Sequence, residues 1–556
     1  MLPARSSVLT PSVQLIPRTL WIVFALTIFP ANALGQQSQF VVADPTLAAE
    51  ALAEAEALDL LEEPTAVDFY FEAAAQAAQI LQQFPTAITG DTDVEVIYGD
   101  ALGGLIDASQ RYGRLDAHRQ RILVGGGTRV VPISYFGFAW RPQDFSILLP
   151  AQYERNAEIA NHYISGGIGR PLIAERVTNQ QIPFSRQRQN FAVTALLRLA
   201  TNASNEFVLE LYNPLVFDRV NWGGFVVPIA RDLSAPLARE INEAPRQYLR
   251  GFTSPSDTSV RPLLMMLEPY QRGKIPVVFI HGLYSDPTTW ADMLNELRAQ
   301  HDLYAQYQFW IFRYPTGGNL LSSAASLREQ LLLVRNQFDP QHIDPALDAM
   351  VLVGHSLGGL VSKMQITSSN DQFWGRIAQQ PYSALRAPFE IQQKFAQNLF
   401  FQPVPTVKRV VFIGTPHKGS DMTRRLAGRI GNALVSYGSE EDAEYQQLID
   451  SNRDVFRPDF SDKQPTSISL LEPDSPFLAG LANMPLNSAT HVHSIIGEDR
   501  GYPFAEPGDG VVTVASARHC GESELFVPAK HEKLHRNPES INEVARILRL
   551  HASTSP

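Results

Sequence analysis

The stretch Val351-Leu-Val-Gly354-His355-Ser356-Leu357-Gly358-Gly359 is where this chain has the residue types and spacing for nucleophilic chemistry. An apolar strand runs into Gly-x-Ser-x-Gly, and the apolar pair Leu360-Val361 opens a helix behind it. A strand that turns directly into a helix strains the residue between them. Glycines two before and two after remove the Cβ atoms that would collide. The serine hydroxyl then projects above the carboxyl edge of a sheet, and the Leu357 amide points into the same space. The bare pattern is common; the strand before it and the helix after it make it specific. Serine attacks a carbonyl only if a base takes its proton, and the base needs an acid to orient it. Chain order for such a turn is serine, acid, then histidine. Asp509, in Gly508-Asp509-Gly510 just past the apolar run Val492–Ile496, fits the acid, with Glu498 and Asp499 as alternatives. His531, between a strand around Phe526 and a helix from Pro538, fits the base, with His535 as the alternative. His519 lies on the wrong side of the Phe526 strand, and His355 leaves the turn in another direction. A second oxyanion amide is expected in the loop after Val277-Val-Phe-Ile280, at His281-Gly282-Leu283. Leu283 is assigned, with Gly282 as the alternative donor and His281 as a holder of the loop.

These groups need a sheet to present them. After a Pro/Ser/Thr-rich stretch at Thr253–Pro262, apolar runs recur at Leu263–Leu267, Val277–Ile280, Phe309–Phe312, Met350–Val353, Val410–Ile413 and Val492–Ile496. Most are continuous rather than alternating, as expected of parallel strands buried on both faces. Helical stretches such as Thr288–Gln300 and Ala324–Phe338 separate them, so an α/β domain on a mainly parallel sheet is predicted for residues 256–556. Insertions fall near residues 370–408 and 421–484. The first carries Phe373-Trp374, Phe389, Phe395 and Leu399-Phe400-Phe401, which reads either as a helix pair with its own core or as a cap lining an apolar pocket. Ahead of this domain, residues 34–120 read as a helical lead-in rich in Ala, Leu and Glu, packed on the next domain. Residues 121–255 read as a β-rich, sandwich-like antiparallel region, with strands at Phe191–Leu199, Phe207–Tyr212 and Phe225–Ile229. No catalytic constellation stands out there.

Composition bounds the rest. The chain has 556 residues, 44% hydrophobic and 19% charged, which is globular and excludes a largely disordered protein. Its 46 Lys and Arg against 57 Asp and Glu give a net charge of −11, which argues against nucleic-acid binding. A single cysteine, Cys520, excludes a disulfide framework. Residues 1–33 combine Arg5 and Arg18, an apolar run from Leu20 to Phe29 and the sequence Ala31-Asn32-Ala33. That is the pattern of a cleaved secretory signal, too short to span a bilayer. The expectation is an exported protein, periplasmic or secreted, with no stable transmembrane segment after cleavage.

Taken together, His281-Gly282-Leu283, Gly354-His-Ser356-Leu-Gly358-Gly359, Gly414-Thr-Pro416-His417-Lys-Gly419-Ser420, Asp509-Gly-Val-Val and His531 resemble an α/β-hydrolase of the lipase/esterase type. The Gly-Thr-Pro-His-x-Gly-Ser element is similar to that of bacterial triacylglycerol lipases and GPI inositol-deacylase-like lipases. The resemblance covers Arg261 to Ala552 and leaves the first half of the chain untouched. It implies Ser356 as nucleophile, Asp509 as acid, His531 as base, and Leu283 and Leu357 as oxyanion donors. The long segments after the serine turn and from Asp421 to Met484 depart from it, and nothing near Asp509 supports the calcium site of some bacterial lipases. The expected activity is cleavage of a small-molecule or lipid carboxylic ester through an acyl-enzyme, needing no metal or organic cofactor. The same groups would serve an acyltransferase or amidase acting on cell-envelope material, and a non-catalytic binding protein is the reading from another class. Acyl chain length and oligomeric state are not encoded in any pattern found.

Overall fold

A computed structural model describes residues 45–554, apart from 86–87, 89–91, 178–181, 201–205, 244–260, 421–438, 459, 461–466, 474 and 500–505. The signal-like segment, most of the Pro/Ser/Thr-rich stretch and the start of the second insertion therefore lie outside the described residues.

The first elements are three helices, α1 (Pro45–Leu60), α2 (Ala66–Gln83) and α3 (Asp93–Arg111). Alanines dominate the buried face of α2, where Ala73, Ala74, Ala77 and Ala78 are fully enclosed and let neighbouring backbones approach closely. At the start of α3 the Thr92 hydroxyl accepts from the Glu95 amide, and Glu95 accepts from the Thr92 amide, a reciprocal cap that fixes where the helix begins. A seven-stranded sheet follows, built from β1 (Leu115–Asp116), β2 (Arg121–Val124), β3 (Arg129–Phe136), β4 (Ile147–Pro150), β5 (Arg170–Val177), β6 (Arg188–Leu199) and β7 (Phe207–Tyr212), in the order β1-β2-β3-β7-β6-β5-β4.

Two features differ from the sandwich-like, antiparallel expectation. The β3–β7 pair is parallel, and the layer packed on the sheet is helical. Residues from Ala48 to Ile229 share one hydrophobic core that includes α2, α3 and the sheet. The buried Tyr98 of α3 ties the two layers together, donating to the Leu197 carbonyl at 2.8 Å and accepting from its amide at 2.7 Å. An alternating strand pattern records that one face is covered, but not whether a sheet or a helix covers it.

The second sheet contains β8 (Leu263–Met266), β9 (Ile275–Ile280), β10 (Tyr307–Arg313), β11 (Met350–His355), β12 (Val407–Ile413), β13 (His491–Gly497) and β14 (Ser523–Val527). Its order is β8-β10-β9-β11-β12-β13-β14. β8 is antiparallel to β10, and every other pair is parallel. All six apolar runs picked out above fall on these strands, with Leu267 one residue past the end of β8. Alternate residues feed two cores: Val278, Ile280 and Leu352 one side, Val277, Phe279, Val351 and Val353 the other. Helices α4 (Ala291–Ala299), α5 (Leu320–Phe338), α6 (Leu357–Lys363), α7 (Phe389–Leu399) and α8 (Pro538–Thr554) connect or flank the strands. The result is an α/β fold whose parallel strands deliver their carboxyl ends, and the loops after them, to one edge. The described residues belong to one compact unit, Ala43–Pro556, and among them no helix is long and apolar enough to cross a membrane.

Polar contacts join the two sheets' regions. The Asp292 carboxylate on α4 accepts from the Ala160 amide at 2.8 Å and from Arg536 at 2.7 Å, and Arg536 also donates to the Glu158 carbonyl. Gln189 of β6 donates to the Met266 carbonyl of β8 at 3.0 Å.

Candidate active site

Ser356 sits between the end of β11 and the start of α6 with φ +53° and ψ −122°. Non-glycine residues avoid this region because the Cβ crowds the flanking peptides, and holding one there costs about 1–3 kcal/mol. The surrounding structure enforces it. The Ser356 amide donates to the Ile413 carbonyl of the next strand at 2.9 Å. A Cβ on Gly354 would lie 2.5 Å from the Gly358 carbonyl oxygen, and one on Gly358 only 2.1 Å from that of Ile280. The steric reason read from Gly-x-Ser-x-Gly is thus visible at both glycines.

The loop after β9 closes on this turn. A Cβ on Gly282 would stand 3.0 Å from the Ser356 Cβ and 3.1 Å from His355 Nδ1, so the loop can press this close only with glycine there. The following turn is held by Tyr284, whose φ is +56° and whose amide donates to Thr316 Oγ1 at 3.2 Å. Among the described residues the Leu283 and Leu357 amides donate to no protein group. His281 is buried; its Nδ1–H donates to the Gly282 carbonyl at 3.2 Å, and Nε2 accepts from the Tyr314 amide at 3.4 Å. Its ring stacks on Tyr314 at 4.5 Å. Burial pushes its pKa down to about 4, so at neutral pH it is an uncharged brace for the loop.

Beyond β13 and β14, the Asp509 and His531 side chains meet. His531 Nδ1–H donates to Asp509 Oδ2 at 2.7 Å, and the His531 amide donates to the Asp509 carbonyl at 3.0 Å. Because the carboxylate can only accept, Nδ1 carries the proton, and in the neutral ring Nε2 keeps its lone pair. Asp509 Oδ1 takes the Val511 and Val512 amides at 2.9 and 2.7 Å, which fixes the carboxylate plane. Two glycines leave room for the pair. A Cβ on Gly497 would come within 2.5 Å of the Asp509 Cβ, and one on Gly414, whose φ is +56°, within 3.2 Å of Oδ2 and 3.3 Å of His531 Nδ1. The loop Gly414–Ser420 in turn grips the acid's loop: the Ser420 hydroxyl donates to the Val511 carbonyl at 2.5 Å, and Ser516 Oγ accepts from the Lys418 amide at 3.1 Å and donates to the Gly419 carbonyl at 2.7 Å.

The alternatives separate. His535 is bonded through Nε2 to Thr289 Oγ1 at 2.6 Å, packs on Trp290 and His355, and has its pKa pushed down to about 3 by burial; it is not the partner of Asp509. His519 lies against His417, with ring centres 4.7 Å apart. The Asp499 amide donates to the Gly508 carbonyl at 2.8 Å, bracing the acid's loop through backbone alone. His355 has a supporting part that no sequence pattern signals: its Nε2–H donates to the His531 carbonyl at 3.1 Å, and its ring lies 4.8 Å from that of His531. Ser356 thus stands beside the His531–Asp509 pair through its own chain neighbour. Among the described residues the Ser356 hydroxyl makes no hydrogen bond; serine–histidine bonds in such sites are often long before substrate arrives.

A cavity of about 710 Å³ opens between the cap insertions and the segment after β10, lined by residues that include Asn319, Phe373, Ile391, Phe395, Tyr445 and Phe477. The insertion also has a core of its own, with Phe373 stacked on Phe477 at 5.0 Å and Trp374 edge-on to Phe456 at 5.9 Å. Both readings of this aromatic stretch therefore describe part of it.

Residues 277–529 match the model of the alpha/beta hydrolase family, and the domain built on the second sheet has the α/β-hydrolase fold. Solved structures similar to the chain include the mature lipase BlEst2 of Bacillus licheniformis, at 18% identity over 51% of this chain and 97% of that one, with a TM-score of 0.31. The Staphylococcus hyicus lipase is 12% identical over 52% of this chain and 100% of its own, with a TM-score of 0.31. The metagenomic carboxyl esterase MGS0156 is 15% identical over 51% and 77%, with a TM-score of 0.26. No curated protein sequence matches the chain.

Proposed function

We propose that this protein is an exported serine hydrolase that cleaves carboxylic esters, with a lipase- or esterase-like preference for apolar acyl groups. The observation that carries the reading is the 2.7 Å bond between His531 Nδ1 and an Asp509 carboxylate pinned by two amides, beside a serine held at positive φ. In this reading His531 Nε2 takes the Ser356 proton as Oγ attacks the ester carbonyl, and Asp509 stabilises the imidazolium that forms. The Leu283 and Leu357 amides, which donate to no protein group among the described residues, receive the oxyanion. Collapse of the tetrahedral intermediate expels the alcohol with the proton from His531. Water then repeats the sequence on the acyl-enzyme and releases the acid. Phe373, Ile391, Phe395 and Phe477 line the cavity beside Arg376, Arg386 and Lys394, and their apolar side chains support a substrate with an acyl chain. Export rests on the signal-like pattern of residues 1–33.

The test is turnover of p-nitrophenyl esters of increasing chain length by wild type and Ser356→Ala. Turnover confined to the wild type is expected; equal rates in the two proteins would end the proposal.

A further inference from the structure

The Leu283 amide belongs to the peptide between Gly282 and Leu283, and among the described residues it donates to no protein group. No peptide among those residues is cis. In a trans peptide the carbonyl and the N–H point opposite ways, so whatever holds the Gly282 carbonyl also aims the Leu283 N–H. That carbonyl accepts His281 Nδ1–H at 3.2 Å. The peptides on either side are held as well, both by the segment that follows β10. On one side the His281 carbonyl accepts from the Tyr314 hydroxyl at 2.7 Å. On the other the Tyr284 amide donates to Thr316 Oγ1 at 3.2 Å. Tyr314 also orients the His281 ring. Its amide donates to Nε2 at 3.4 Å, which keeps the ring proton on Nδ1, and the two rings stack at 4.5 Å. Three consecutive peptides, with the unpaired donor in the middle one, are thus tied to Tyr314 and Thr316.

Sheet register brings these groups together. β9 and β10 run parallel with Ile280 opposite Phe312, so the loops that leave them start side by side. Tyr314 and Thr316 are each 1% exposed, and Pro315 between them restricts its own φ and the backbone of Tyr314. The loop they hold is not one that relaxes into place by itself, because Tyr284 sits at φ +56°, a conformation an aromatic residue keeps only where its surroundings enforce it. We propose, on the ester-hydrolase reading above, that Tyr314 and Thr316 are positioning residues for the oxyanion hole: through the His281 carbonyl and the Tyr284 amide they set the direction of the Leu283 N–H. Neither side chain moves a proton or forms a bond to the substrate. An oxyanion donor works only when it stands about 2.7–3.1 Å from where the charge develops, so its aim matters most in the transition state. Loss of either contact should therefore appear in kcat rather than in KM.

The test uses the full chain as wild type, Tyr314→Phe, Thr316→Val and Thr316→Ser. It measures kcat and KM for p-nitrophenyl butyrate, inhibition by a boronic acid, and thermal unfolding to establish that each variant is folded. Tyr314→Phe and Thr316→Val keep the shape of the side chain and remove the contact. Each should lower kcat by about 10- to 100-fold with KM little changed, the effect of a donor displaced by order 1 Å rather than lost. The boronic acid turns tetrahedral on the serine and sets an oxygen against the same amides, so its inhibition should weaken by a similar factor. The pH dependence of kcat/KM, which reports the base, should stay where it is in wild type. Thr316→Ser gives up a buried methyl yet keeps the acceptor, so it should recover most of the kcat lost in Thr316→Val; a role in packing alone predicts the reverse order. Either isosteric variant suffices should the other not fold. A wild type without ester turnover would overturn the hydrolase reading and this proposal with it. An active wild type alongside folded Tyr314→Phe and Thr316→Val of unchanged kcat, or losses confined to KM, or a Thr316→Ser protein slower than Thr316→Val, would overturn this proposal alone.

Discussion

Asp509→Asn is the perturbation for which the structure gives the sharpest consequence. Oδ1 of this residue receives two backbone amides, while Oδ2 receives His531 Nδ1–H. An asparagine in the same place has one acceptor and one donor end. Its carbonyl must take the position facing the Val511 and Val512 amides, since an NH2 there would meet two other donors. The NH2 is then left opposite His531 Nδ1, which must become an acceptor, so the ring proton moves to Nε2. The base has then lost the lone pair that would take the Ser356 proton, although no atom has been displaced. The loss expected for a wrong-tautomer base is about 10⁴-fold in kcat, or roughly 5 kcal/mol of barrier, by analogy with the same substitution in a serine protease. The assay is kcat for p-nitrophenyl butyrate in wild type and variant, with thermal unfolding run alongside to show that the fold survives. A folded Asp509→Asn protein retaining more than about a tenth of wild-type kcat would refute the tautomer reasoning.

Other outcomes follow from individual contacts. Gly282→Ala would push a methyl to 3.0 Å from the Ser356 Cβ and should lower kcat by about 10- to 100-fold, as expected for a displacement of order 1 Å, with KM little changed; unaltered kcat would show that the loop's closeness is irrelevant to turnover. Ser356→Gly should abolish turnover yet raise stability by about 1 kcal/mol in urea unfolding, because glycine adopts the serine's φ without strain; a less stable variant would contradict the strain argument. His535→Ala should keep turnover within about tenfold of wild type while losing about 1–3 kcal/mol of stability with its Thr289 bond, whereas His531→Ala should be nearly inactive; the reverse pattern would make His535 the base. Acid should destabilise the fold through its buried neutral histidines, since burial is the leading cause holding His281, His493 and His551 to about 4 and His535 to about 3. The unfolded chain takes up these protons first, so their contribution is complete above about pH 6.5 and falls as pH drops toward 4, by up to about 1.4 kcal/mol per unit for each histidine. Urea midpoints that rise over that interval would rule this out.

Much of the second sheet was legible because parallel strands buried on both faces leave continuous apolar runs, and Val277–Ile280 and Met350–Val353 are such runs with every residue enclosed. The serine turn was legible for a different reason. Its glycines answer to collisions within a few residues of chain, so spacing alone encodes them. Asp509 could be preferred over Glu498 and Asp499 only by its flanking glycines, whereas the bond to His531 is a contact between separate loops that no local pattern carries. The same holds for Gly414 and Gly497, which make room beneath the acid from two other strands, and for Thr316, which holds the Tyr284 turn. The helical lead-in reads as packing on the β-rich region, and α2 and α3 share its core; the parallel β3–β7 pair was hidden, because alternation reports burial and not strand direction.

The most direct measurement is peptide mapping of the full chain after reaction with a fluorophosphonate, which phosphonylates a serine only where a base activates it beside oxyanion donors. A single adduct on Ser356, lost in His531→Ala, is the predicted result. An intact Ser356 after exhaustive labelling, or an adduct that forms equally well in His531→Ala, would contradict the proposed chemistry.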